Sequence, residues 1–181
     1  MRIYIIGTSG SGKSTLAKQL TQLLECPHFE LDQYRFLPGW VKRPRDEFIK
    51  IVQEKISEEN WIICGNEEPP LKEDLISASD KIIWLDYSFP LIFFRTFKRT
   101  MRRIFRKQPC CNGNYETFFQ QFFTEKSIFW WIIKTYRSRR TEYTALEQDE
   151  NTRHKLIHIH HPKEVSSLHL LLSNSGNGIN P

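Results

Sequence analysis

The chain has 181 residues, of which 39% are hydrophobic and 26% charged, and its formal net charge is +5. This balance excludes a wholly disordered chain and leaves room for one domain, or one with a small insert, built on its own core. The 26 Lys and Arg against 21 Asp and Glu suggest a polyanionic partner, whether nucleic acid, nucleotide or membrane surface. No apolar run approaches the ~20 residues of a membrane span, and the stretch Met1–Ile6 is too short for a signal peptide. The cysteines, Cys26, Cys64, Cys110 and Cys111, form no C-x-x-C pair and read as reduced thiols of a cytoplasmic protein.

In chain order, residues 3–6 predict a buried strand. Gly7-Thr8-Ser9-Gly10-Ser11-Gly12-Lys13-Ser14-Thr15 follows, and Leu16, Ala17, Leu20, Leu23 and Leu24 then recur at helical spacing. Phe29 to Asp32 reads as a second strand ending in carboxylates, and Pro38-Gly39-Trp40 as a turn. Residues 44–59 predict a helix, Trp61–Cys64 a buried strand closed by Gly65-Asn66, and 69–77 a short helix. Lys81–Asp86 is a further strand, followed by a long helix from Pro90 to Lys107. Residues 109–114 form a turn or lid tip, 115–147 one or two helices, 155–159 a last strand and 162–172 a last helix. The tail 173–181 is expected to be flexible. Strands alternating with helices predict an α/β fold: a three-layer domain over 1–172 with a central parallel five-stranded sheet and a helical lid at about 95–140.

Strand, G-x-x-x-x-G-K-S loop and helix together form a P-loop. Glycines let successive backbone N–H groups face a phosphate, and the helix N-terminus adds its positive end. Lys13 supplies a charge between the outer phosphates, the Ser14 hydroxyl is a ligand for Mg²⁺, and Thr15 reaches an α-phosphate. The motif implies a nucleoside triphosphate, ATP or GTP, without naming a reaction. Asp32 is placed to accept a hydroxyl proton or hold metal-bound water, with turn capping as the alternative. For Asp86, capping the following helix is the preferred reading.

Seven of the basic residues lie in 88–115, which holds no Asp or Glu; the rest of the chain is slightly acidic. Arg95, Arg99, Arg102 and Arg106 repeat as one helical stripe. Arg95 and Arg99 are read as phosphate clamps, Arg102–Lys107 as a solvated face or a nucleic-acid contact, and Arg137, Arg139 and Arg140 as later cations closing on the same phosphates. His154, His158, His160, His161 and His169 invite a zinc reading, but no Cys or carboxylate stands at ligand spacing, so they are read as a surface cluster at a strand end. Phe118, Phe119, Phe122, Phe123, Phe129, Trp130 and Trp131 read by default as core or lid packing, with stacking on a base as the alternative for an exposed subset.

These motifs resemble those of adenylate-kinase-like P-loop kinases over about 1–172. Leu85-Asp86 followed by Arg95 and Arg99 is similar to the strand and R-x-x-x-R segment that leads into the lid of nucleoside monophosphate kinases, which implies contacts from both arginines to ATP. A closer resemblance is to the uncharacterised group labelled DNA topology modulation proteins, FlaR-like. It rests on Ile6 to Thr15, Leu31-Asp32, Pro38-Gly39-Trp40, Lys42-Arg43-Pro44, Gly65-Asn66, Asn112-Gly113-Asn114 and Lys134-Thr135-Tyr136. Asp32-Gln33-Tyr34-Arg35 also resembles kinases in which such an Asp is the base toward a hydroxyl.

Both resemblances imply an acidic residue just before Gly65, where this chain has Cys64, a poor Mg²⁺ ligand. Asp32, Asp86, Glu67 and Glu68 are the candidate replacements; failing them, the enzyme is weak or inactive. The resulting expectation is a phosphotransferase that uses Mg²⁺ and ATP, with Lys13, Arg95, Arg99 and Arg137 neutralising the moving phosphoryl group. Its small acceptor would lie among Asp32, Arg35, Trp40, Arg43, Gly65 and Asn66. The rivals are a nucleotide-dependent DNA-binding regulator and a degenerate nucleotide-binding protein.

Overall fold

The computed structural model describes residues 1–125 and 127–176. The apolar run after Met1 forms β1 (Arg2–Gly7), whose Ile3, Tyr4 and Ile5 side chains are wholly buried. The loop of glycines leads into α1 (Lys13–Leu24), then β2 (His28–Glu30) and a one-turn α2 (Leu31–Arg35). A small hairpin follows, β3 (Phe36–Leu37) and β4 (Val41–Lys42), joined by a 3-10 turn at Pro38–Trp40. Next come α3 (Arg45–Ile56), β5 (Trp61–Cys64), α4 (Leu71–Ala78) and β6 (Lys81–Leu85). The long α5 (Phe89–Arg106) has Pro90 in its first turn and ends at Lys107 in the left-handed region. The chain closes with α6 (Phe118–Phe123), α7 (Ile128–Gln148), β7 (Leu156–Ile159), a 3-10 turn at Pro162–Glu164 and α8 (Val165–Gly176).

The five long-range strands form one parallel sheet in the order β2-β5-β1-β6-β7, and helices cover both faces. On one face Ile3, Ile5, Ile62 and Ile83 pack against α1 and α8 and against Ile92 and Ile132. On the other, Tyr4, Ile6, Trp61 and Trp84 pack against α3 and α4 and against Tyr143 of α7. Two-sided burial is why these strands read as continuous apolar runs. Each such side chain contributes roughly 1.5–3 kcal/mol on leaving water.

Four expectations change. The second strand stops at Glu30; Leu31 is buried at the start of α2, so Asp32 stands in a helical first turn and not at a strand end. The last helix runs past residue 172 to Gly176, and the tail expected to be flexible otherwise lies outside the described residues. Of the seven aromatics assigned to packing, only Phe129 is buried; Phe118, Phe119, Phe123, Trp130 and Trp131 stay at least half exposed, while Phe122 sets its ring 5.4 Å from that of Phe129. Asp86 caps no helix: its carboxylate faces α7 and β7, and Ser88 precedes α5.

Gly65 fixes how β5 meets α2. Its φ is +145°, and a Cβ there would lie 2.8 Å from Leu31 Cβ. Gly65→Ala therefore combines backbone strain with overpacking, and the expected loss is about 2–3 kcal/mol in urea unfolding. An unchanged denaturation midpoint would contradict this.

Candidate active site

The carboxyl ends of β1, β5 and β2 bring the site together, as parallel sheets do. The loop after β1 is held shut on itself: Ser11 N–H donates to the Thr8 carbonyl at 3.1 Å, and Leu16 N–H to the Gly12 carbonyl at 3.0 Å. Gly10, at φ +87°, lies against α5, where a Cβ would overlap Thr96 Oγ1 and come within 2.9 Å of the Ile92 carbonyl. The basic helix is thus packed directly onto the phosphate loop. Asn66 clamps the same loop from β5. Its Nδ2 donates to the Gly7 carbonyl at 2.8 Å, and its Oδ1 accepts from Tyr143 at 2.8 Å and from Gly7 N–H at 3.3 Å. Its amide is thereby occupied in holding the loop.

Lys13 Nζ donates to the carbonyls of Gly7 at 2.7 Å and Thr8 at 3.1 Å. Burial lowers its pKa to about 8, and Arg139 and Arg99 push in the same direction while Asp32 opposes them. Arg99 is itself buried, with its pKa lowered first by that burial and then by Arg103; its Nε has no hydrogen-bond partner. Arg139 also has a buried nitrogen, Nη1, without a partner, and its guanidinium lies 5.6 Å from the Trp131 ring centre. Arg95 Nη1 stands 4.0 Å from where a Cβ on Gly12 would be. Four cations from the loop, α5 and α7 thus face one region.

Arg137 is exposed to solvent. Arg139, two residues on, instead stands close enough to Lys13 to act on its charge. The basic stripe on α5 also divides: Arg95, Arg99 and Arg103 turn inward, Arg103 pairing with Glu116 at 3.0 Å, while Arg102 and Arg106 face solvent.

Ser14 Oγ donates to Glu30 Oε2 at 2.9 Å, with Cys64 Sγ 4.0 Å away. Burial, and then Glu30, push the Cys64 thiol up to about 12, so it stays a neutral thiol. The carboxylate beside the loop is therefore Glu30, which sequence reasoning passed over for Asp32. Glu67 is buried between Arg35 and Arg45, and Asp86 faces Arg140 and His158, so neither is directed at Ser14. The hydroxyl of Ser14 and the carboxylate of Glu30 are the hard oxygen pair that Mg²⁺ favours.

Asp32 is exposed and lies close enough to Lys13, Arg35 and Cys111 to act on their charges. Arg35 packs over the Phe48 ring at 4.8 Å and pairs with Glu67. Arg43 donates through Nε to the Tyr34 carbonyl at 2.8 Å, which supports the α2 turn. The turn at 109–114 is docked over the β3–β4 hairpin. Trp40 N–H donates to Asn114 Oδ1 at 2.7 Å, Asn114 Nδ2 to the Leu37 carbonyl at 3.0 Å, and Asn112 Nδ2 to the Phe36 carbonyl at 3.0 Å. The Pro38-Gly39-Trp40 and Asn112-Gly113-Asn114 segments, distant in sequence, thus meet as one strap beside Asp32.

No family model and no curated protein matches the chain. Solved structures do. A shikimate kinase from Bacteroides thetaiotaomicron aligns with a TM-score of 0.57 at 18% identity, over 97% of this chain and 97% of that one. A gluconokinase from Sinorhizobium meliloti 1021 aligns at 0.55 and 14%, over 97% and 90%. A deoxyadenosine kinase from M. mycoides aligns at 0.53 and 17%, over 99% and 100%. The chain has the α/β fold of P-loop kinases, with its five-stranded parallel sheet. Among the described residues no helix is long and apolar enough to cross a membrane.

A bound triphosphate should restore the proton that burial disfavours on Lys13. In calorimetry repeated in two buffers of different ionisation enthalpy, ATP binding should take up protons between about pH 8 and the ordinary lysine value of 10.5, and affinity should weaken up to tenfold per unit across that range. Affinity independent of pH there would contradict the placement of Lys13.

Proposed function

We propose that the protein is an ATP-dependent kinase that transfers the γ-phosphoryl group to a hydroxyl of a small acceptor. The observation that carries this reading is the set of partly buried cations, Lys13, Arg99 and Arg139, with buried, unpartnered nitrogens on both guanidinium groups, around a phosphate loop. Buried charges are costly without a counter-charge, and a triphosphate supplies one. Lys13, Arg95 and Arg99 hold the phosphates, and Arg139 takes the part first assigned to Arg137. Ser14 and Glu30 would hold Mg²⁺, which would supply positive charge to screen the phosphates. Backbone N–H groups of Gly7 to Thr15 line the triphosphate.

Asp32 is the acceptor-side base. It is exposed and lies near enough to Lys13 to act on its charge, with no salt bridge to it, and proton transfer needs a carboxylate free to receive. Arg35 and Arg43 shape the acceptor side by fixing α2, and Gly65 and Asn66 do so by fixing β5 and the loop. The fold neighbours support an acceptor of this kind: their names give shikimate, gluconate and deoxyadenosine as what they act on.

A second reading, binding of duplex DNA in keeping with the FlaR-like resemblance, rests on Arg102 and Arg106 facing solvent at the far end of α5. The two readings part in one set of assays. In a screen of nucleosides, nucleotides and sugar or cyclic alcohols, acceptor-dependent ADP release is expected. It should vanish in Lys13→Ala, and in Asp32→Asn kcat should fall about 10²–10⁴-fold with little change in the KM for ATP. Full turnover in Asp32→Asn would remove the base assignment. Absence of acceptor-dependent ADP release, together with salt-dependent duplex binding by the wild type that falls in Arg102→Ala/Arg106→Ala, would favour the DNA reading.

A further inference from the structure

We propose that Asp86, His158 and His160 form a binding site for a borderline divalent cation of the zinc class, on the β6–β7 edge of the sheet. Asp86 follows β6 directly, and its N–H donates to the Ile159 carbonyl of β7 at 2.9 Å, so the two strand ends are locked in register. His158 and His160 are two residues apart and project from the same face, with ring centres 3.8 Å apart. One ligand atom from each of the three residues falls within 4.8 Å of the others. Among the described residues this is the group of His, Cys and carboxylate side chains with that convergence.

The distances suit a metal. Zinc holds imidazole nitrogen and carboxylate oxygen at about 2.0–2.2 Å, which puts tetrahedral ligand atoms roughly 3.3–3.6 Å apart. Asp86 Oδ2 and His158 Nε2 are already 3.2 Å apart. His160 is exposed, so its ring is free to turn toward them. Two imidazoles and one carboxylate favour zinc, cobalt or nickel over Mg²⁺ or Ca²⁺, which prefer oxygen alone.

The surroundings of His158 point the same way. Its Nδ1 lies 3.2 Å from Glu147 Oε1 on α7, and its ring stacks on Trp84 with centres 3.8 Å apart and planes 12° apart. A carboxylate behind one imidazole nitrogen, orienting the other toward the ion, is the usual outer support of a histidine ligand. Arg140 Nε, 3.0 Å from Asp86 Oδ2, is the competing cation, and its side chain is mostly exposed and able to withdraw. Glu164, which accepts from His160 N–H at 3.1 Å, is a further anion at the rim.

Zinc and cobalt(II) titrations in phosphate-free buffer test this on the full chain, with calorimetry for zinc and visible absorption for cobalt. The wild type should bind one equivalent. His160→Ala, at an exposed position, and His158→Asn should each weaken binding by more than the ~10–100-fold expected for Glu147→Gln. Arg140→Ala should tighten binding, and His161→Ala should leave it unchanged. Circular dichroism checks that each variant is folded. No binding by the wild type, equal binding in folded His160→Ala, or an equal loss in His161→Ala would overturn the proposal.

Discussion

The structure turns on an electrostatic debt, the convergence of like charges that the protein does not itself neutralise. Lys13, Arg99 and Arg139 converge from three separate elements, and burial, then Arg139 and Arg99, make the positive charge of Lys13 harder to hold. Asp32 opposes this only in part, from an exposed turn. A folded chain tolerates such an arrangement when its stability comes from elsewhere, here from strands buried on both faces. A ligand with several negative oxygens then gains what the protein left unpaired. The dry, fixed setting makes each contact stronger than it would be in water.

Packing holds that arrangement in place. Gly10 allows α5 to lie directly on the loop, so Arg95 and Arg99 cannot move independently of it. Asn66 and Tyr143 connect the loop to β5 and α7, and α7 carries Arg139 four residues before Tyr143. Glu30, at the end of β2, accepts from Ser14, while the neighbouring Cys64 stays a neutral thiol. Beside Asp32 on α2, the strap joins Trp40 to Asn114 and Tyr115.

The loop and the sheet were legible because their signals are local. Strand, glycines, lysine and helix lie within one run of the chain, and the buried strands are uninterrupted apolar segments. Arg95 and Arg99 were legible for the same reason, as repeats on one helix. Glu30 was not, because whether a strand ends at residue 30 or 32 depends on Leu31 being drawn under Gly65, a contact with a residue far along the chain. Arg139 had a signal that was missed: Ile132, Tyr136, Arg139 and Tyr143 lie at helical spacing, and the buried Ile132 and Tyr143 fix which way that face points. The histidines looked like a surface cluster because their carboxylate partners come from β6 and α7, at no spacing the sequence displays.

The central claim is that the inward-facing guanidinium on α7, and not its neighbour, belongs to the phosphate site. Calorimetry of ATP with Mg²⁺ on Arg139→Ala and Arg137→Ala tests it most directly. Loss of one charged contact of about 1.5–3 kcal/mol should weaken binding by about 10–100-fold in Arg139→Ala and leave Arg137→Ala like the wild type. Equal affinity in all three proteins, or a loss confined to Arg137→Ala, would contradict the account.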